Sequence, residues 1–192
     1  MEQRLTAIIR LFCCLHSRDT YIKAYTEFLA KRLLNKSLVS IEAEELMISK
    51  FKVECGINTV SKMTHMFKDI ETSKITQGEF IKYCNGSNMI QGVEFNTEIL
   101  TNGQWPMEEP ITCKIPLELQ NCVIKFETYY KNKLHQRRKL NWALQNGSVE
   151  IKTQHIAARN YMFIVNVFQA TILCLYNEGK TKFTFKDIKS LT

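Results

Sequence analysis

From residue 3 to residue 84 apolar side chains return every three or four positions, the period of helices that bury one face. Leu5, Ile8, Ile9, Phe12 and Leu15 predict a first helix. Ser17 to Asp19 breaks the pattern and offers caps for a second, striped by Tyr21, Ile22, Tyr25, Phe28 and Leu29. After a polar connector at 35–40, Ser40 is placed to cap a third helix. Glu42, Glu44 and Glu45 lie in its first turn, where the helix dipole favours negative charge. Gly56 is the expected stop. A fourth helix carries Met63, Met66, Phe67 and Ile70, and Thr76 with Glu79 reads as a capping box opening a short fifth around Phe80 and Tyr83.

Beyond Asn85 the period changes. Gly86, Ser87 and Gly92 make a connector, after which Val93, Phe95, Thr97 and Ile99 alternate as in a strand, ended by the Asn102-Gly103 turn signal. Pro116 suits the first turn of a helix presenting Leu119, Cys122, Val123, Phe126 and Tyr130. Leu140, Trp142 and Leu144, then Asn146-Gly147, then Val149, Ile151 and Thr153 form the strongest hairpin pattern of the chain, and Tyr161 to Asn166 can add a strand. The last stretch predicts a helix on Phe168, Ile172, Leu175 and Tyr176, a C-cap at Gly179, an extended Phe183 to Phe185 and the start of another helix from Lys186. The expectation is an α+β fold: the end of a helical bundle, then a small antiparallel or mixed sheet with a packed helix, then a partial winged-helix unit. Its predicted segments are 1–92, 93–166 and 167–192.

Composition narrows the functional classes. An apolar fraction of 45% with 23% charged residues suits a folded core rather than disorder. No apolar run approaches the roughly 18 residues that a membrane span needs, and no signal-peptide pattern opens the chain, so the expected setting is cytoplasmic or nuclear. Seven cysteines, an odd number without a Cys-x-x-Cys pair, predict free thiols rather than disulfides or a zinc site, and no cofactor motif occurs. The net charge of +7 invites a nucleic-acid reading, but the basic residues are dispersed, with one local run at Arg137, Arg138 and Lys139. An acidic protein partner accounts for the sign equally well.

Several motifs in order resemble the cullin family. They are Leu29-Ala30-Lys31-Arg32-Leu33-Leu34, then Met47-Ile48-Ser49-Lys50, Glu54-Cys55-Gly56, Ser61-Lys62-Met63 and Met66-Phe67-Lys68-Asp69. Leu100-Thr101-Asn102-Gly103-Gln104-Trp105-Pro106 follows, then His135, Arg138-Lys139-Leu140 and Trp142, then Phe168-Gln169, Ile172-Leu173 and Tyr176-Asn177. Arg137 departs from the family's usual glycine, and Thr59, Val60 and Thr64 replace residues that are usually aromatic, hydroxylated and acidic.

The resemblance implies a non-catalytic scaffold of a cullin-RING ubiquitin ligase. Such a scaffold docks a RING-box zinc protein by β-augmentation and so positions the ubiquitin-conjugating enzyme indirectly. It also implies that substrate-adaptor repeats, and the lysine that accepts a ubiquitin-like modifier, lie outside these residues. On this reading the partner surface draws on Phe95, Ile99, Trp105, Leu140, Trp142, Val149 and Ile151, although both tryptophans can equally be core. Lys31, Arg32 and Lys36 are candidates for a basic surface facing the conjugating enzyme. A thiol hydrolase pairing Cys13, Cys55 or Cys113 with His16, His65 or His135 has no supporting signature. The alternatives are a nucleic-acid-binding helical or winged-helix protein, or a degenerate cullin remnant.

Overall fold

A computed structural model describes residues 2–87, 92–134, 138–153 and 161–192. The chain forms two compact units, Met1–Met89 with Glu94–Met107, and Ile90–Val93 with Glu108–Thr192. Across the described residues the fold is α+β, with seven α-helices and one two-stranded antiparallel sheet.

The first unit holds α1 (Glu2–Cys13), α2 (Arg18–Leu34), α3 (Ile41–Cys55) and α4 (Ile57–Ser87). Their predicted stripes converge. Phe12 and Phe51 are almost wholly buried and meet edge to face at 5.1 Å, while Tyr21 and Tyr25 pack on the same Phe51 ring. Leu29, Leu33, Met47, Val60, Met63 and Met66 complete that core. Ser40 caps α3 as expected, accepting the Ala43 N–H at 3.1 Å. Gly56, at φ +84°, is the single residue between α3 and α4, a backbone state that other residues enter only with strain.

Two expectations for this unit give way. The fourth and fifth predicted helices are one 31-residue helix, α4, in which Thr76 is buried rather than capping. The alternating segment from Val93 to Ile99 forms no ladder within the described residues; it is a strap lying against α4. A continuous helix there presents Asp69, Ser73 and Gln77 along one line, four residues apart, and these side chains satisfy the strap's backbone in place of a neighbouring strand.

The second unit contains α5 (Leu117–Tyr129), β1 (Ser148–Lys152), β2 (Met162–Asn166), α6 (Val167–Leu175) and α7 (Phe185–Leu191). Pro116 stands at the N-cap of α5, whose Cys122, Phe126 and Tyr129 are buried. The hairpin differs from the predicted one. Segment 140–144 does not pair with β1; it ends in a short turn at Leu144–Asn146, and β1 pairs instead with β2, Val149 opposite Val165 and Ile151 opposite Phe163. The reason lies in Trp142. Its ring packs edge-on against Phe126 at 6.0 Å and its N–H reaches Glu127 Oε1 at 2.8 Å, which fastens the segment to α5 by side chains.

Gly147 has φ −81°, so the Asn146-Gly147 pair is no left-handed hairpin turn. It needs glycine for room, because an added Cβ would stand 2.7 Å from Val167 Cγ2. β2 runs directly into α6 through a capping box of Asn166 and Gln169, and Thr184 with Asp187 forms another at α7. His135 and Arg137, both singled out from the sequence, lie outside the described residues.

Candidate functional site

The predicted partner residues divide between the two units. Phe95, Ile99 and Trp105 belong to the strap of the first unit. Trp105 is only 7% exposed and sits in the helical core, its N–H donated to Asp69 Oδ2 at 2.8 Å. Phe95 meets Phe80 edge to face at 6.5 Å, and the Ile99 N–H and carbonyl both engage the Ser73 hydroxyl, at 2.6 and 3.0 Å. Gln77 takes the Thr97 N–H on its oxygen and gives its amide to the Phe95 carbonyl. These three therefore pack against α4, for the backbone reason given above.

Leu140 and Trp142 come together in the second unit. With Asn141 and Leu144 they form one wall of an open groove of about 460 Å³, opposite Pro110, Ile111, Thr112 and Cys113. Neither wall has ladder structure, and of the wall residues only Leu144, which opens the Leu144–Asn146 turn, is helical. Apart from Trp142, these wall residues carry backbone groups for which the described residues supply few partners. Gln145 closes one end of the groove: its Oε1 accepts the Ile111 N–H at 3.2 Å and its Nε2 donates to the Glu109 carbonyl at 3.0 Å. At the other end Lys114 N–H donates to Thr192 O at 3.0 Å.

Val149 and Ile151 share one face of the hairpin with Phe163 and Val165, since directly opposed residues of an antiparallel pair point the same way. Phe163 is 42% exposed there, and on the opposite face Ile164 is 72% exposed. Among the described residues the outer edges of β1 and β2 carry no further strand. A hairpin of two strands is of marginal stability in isolation, and its unpaired edges are templates for another chain.

The predicted basic surface is largely compensated from within. Arg32 gives its guanidinium to Glu44, with Nη2 at 2.7 Å, and stacks over the Tyr25 ring at 5.5 Å. The Tyr25 hydroxyl donates to the other Glu44 oxygen, and burial, reinforced by that carboxylate, pushes its pKa above the ordinary tyrosine value. Lys36 lies 3.6 Å from Glu98. Lys31 is exposed, its ammonium 6.0 Å from the Phe28 ring, and among the described residues it has no carboxylate partner.

Two of the candidate thiols, Cys13 and Cys55, are held in environments that disfavour the thiolate. Partial burial and then the Glu54 carboxylate, which accepts from Sγ at 3.4 Å, raise the Cys13 pKa; burial does the same for Cys55. His65 is turned back on its own helix, 2.8 Å from the Ser61 carbonyl. Within the described residues no group of His, Cys, Asp and Glu is arranged to hold a metal, and no helix is long and apolar enough to cross a membrane.

Sequence reasoning gave no role to Asp69, quoted only within a motif, or to Ser73, Gln77 and Gln145. The first three were detectable as a polar line at intervals of four inside a helical pattern, whereas nothing local marks Gln145.

The helical segment and the α+β unit with its open groove define an α+β protein, and comparison with known proteins makes the class specific. The family pattern described as the cullin alpha solenoid domain matches residues 1–77, and that of the cullin alpha+beta domain matches residues 99–192. The chain belongs to the cullin family. It is 35% identical to Cullin-3 of Dictyostelium discoideum over 188 residues, 98% of this chain and 24% of that protein. It is also 35% identical to Cullin-4A of Mus musculus over 192 residues, all of this chain and 25% of that one. Cullin-3A of Arabidopsis thaliana matches at 33% over the whole chain and 26% of its own length. The chain thus spans about a quarter of the length of the curated relatives it matches.

Proposed function

We propose that this chain is a non-catalytic scaffold segment of a cullin-RING ubiquitin ligase, working in the cytoplasm or nucleus. It docks a RING-box zinc protein by strand augmentation and thereby positions a ubiquitin-conjugating enzyme. The observation that carries this reading is the groove between 110–113 and 140–144, whose walls offer unladdered backbone beside the anchors Leu140 and Trp142. Backbone hydrogen bonds to an inserted strand supply affinity, and the side chains on either wall select which strand enters.

The exposed apolar residues of the β1–β2 hairpin, Met162, Phe163 and Ile164, extend the surface beyond the groove. Val149 and Ile151 contribute from the same face as Phe163. Within the first unit, Lys31 supplies the uncompensated charge of the surface facing the conjugating enzyme. Arg32 and Lys36 are drawn toward Glu44 and Glu98, so electrostatic steering there is weak. The α6–α7 region is the opening of a winged-helix unit on this reading.

Co-expression with a RING-box protein, followed by size-exclusion chromatography, tests the proposal. A single co-eluting complex is expected. Separate elution of the two proteins, from a chain proven folded by circular dichroism, defeats it.

A further inference from the structure

One wall of the groove is already half committed. Along 110–114 two backbone N–H groups have different acceptors: Ile111 donates to Gln145 Oε1, and Lys114 donates to Thr192 O. We read 111–113 as extended backbone without helical structure, in which residues of equal parity face the same edge. Cys113 therefore faces the groove with Ile111. Among the described residues the Cys113 N–H has no acceptor, whereas the Ile111 N–H is held by Gln145 Oε1 at 3.2 Å. Pro110 has no N–H to offer, and beyond it the Glu109 carbonyl is occupied by Gln145 Nε2 at 3.0 Å.

The Gln145 carboxamide thus imitates one residue of a neighbouring strand, one donor and one acceptor, at the end of the slot. We propose that Gln145 is the register stop of this docking slot. An incoming extended segment pairs with Cys113 and with the Ile111 carbonyl, but it cannot run on to the Ile111 N–H. This inference rests on the strand-augmentation reading and adds to it the position at which the ladder ends. A stop of this kind matters because a slip of one residue in strand register turns every side chain of the incoming strand to the wrong face. Leu140 and Trp142 select side chains only while that register holds.

Amide hydrogen exchange on the full chain, alone and in complex with a RING-box protein, tests it. In the free wild-type chain the Ile111 amide should exchange about tenfold more slowly than that of Cys113, the worth of one hydrogen bond. On binding, Cys113 should gain protection and Ile111 should not change. Gln145→Met keeps the side-chain volume and removes the hydrogen bonds to Ile111, Glu109 and Glu108. In that variant Ile111 should exchange as fast as Cys113 in the free chain and become protected only on binding, as the ladder extends past the lost stop. Gln145→Glu retains the acceptor and should leave free-chain Ile111 protected, which separates hydrogen bonding from packing.

Equal exchange of Ile111 and Cys113 in the free wild-type chain overturns the proposal, and so does new protection of Ile111 when the wild type binds. Should Gln145→Met fail to fold, the wild-type pattern alone still decides. Failure of the wild type to bind a RING-box protein at all is a different result, visible as unchanged exchange at every amide; it removes the docking reading and the stop together.

Discussion

Trp105 donates its indole N–H to Asp69 Oδ2 at 2.8 Å, although the two residues are 36 positions apart. The same carboxylate accepts the Thr101 N–H at 2.7 Å and the Thr101 hydroxyl at 2.8 Å. One acid in the middle of α4 therefore terminates the strap and satisfies a buried indole. Asp69→Ala would leave the Trp105 N–H without its acceptor in an apolar core. A loss of about 2 kcal/mol is expected, read as a lower urea midpoint with an unchanged slope. An unaltered midpoint would mean that water substitutes freely for the carboxylate.

Trp142 has a different position, half-buried along a groove wall and bonded to Glu127. Trp142→Ala should weaken association with a RING-box protein by about tenfold or more, in the range of an aromatic anchor. Lys31→Ala should change affinity far less and mainly alter its dependence on salt. Titration of both variants by calorimetry at two ionic strengths checks the order, and circular dichroism of the free variants separates lost docking from lost fold.

Lys36 closes α2 in a backbone state suited to glycine. Its φ is +53°, and the Ser37 N–H to Arg32 carbonyl and Lys36 N–H to Leu33 carbonyl bonds are those of a Schellman cap. Lys36→Gly should raise stability by about 1 kcal/mol, because the side chain's clash in the left-handed state disappears. The loss of the exposed contact with Glu98 offsets little of this. A thermal midpoint that fails to rise would contradict the assignment of strain.

Acid should loosen α7 before the rest of the second unit. The Thr184 backbone N–H and hydroxyl both donate to Asp187, which holds its carboxyl below the ordinary aspartate value. A group whose folded pKa is lowered stabilises the fold above its unfolded value of about 3.9 and loses that contribution as pH falls through the lower folded one. Amide shifts of residues 184–188, followed from neutral pH downward, should show the capping box opening in that window. Asp187→Asn keeps an acceptor oxygen and should remove this pH dependence.

The helical half was readable because its information is local. Stripes such as Leu29 with Leu33, the Ser40 cap and the Gly56 stop depend on neighbours within one or two turns, and each stands in the fold where periodicity and capping chemistry put it. The family was readable for a related reason: its motifs are short runs in a set order, and order along a chain survives without coordinates. What the pattern could not supply was the partner of each extended segment. Residues 93–99 and 140–144 both alternate like strands, yet one is held by Asp69, Ser73 and Gln77 of α4 and the other by the bond from Trp142 to Glu127. Alternation states that a backbone is extended; it does not state whether a ladder or a set of side chains will satisfy it.

The same limit divided the predicted surface. Phe95, Ile99 and Trp105 look like Leu140 and Trp142 in one dimension, but only the latter pair reaches the groove that Gln145 closes. The sequence alone determined the family, the first three helices and the Ser40 and Gly56 caps, since these follow from residue type and spacing. Tertiary structure decided which extended backbones remain open, because that depends on hydrogen-bond partners far away along the chain, as Lys114 is from Thr192.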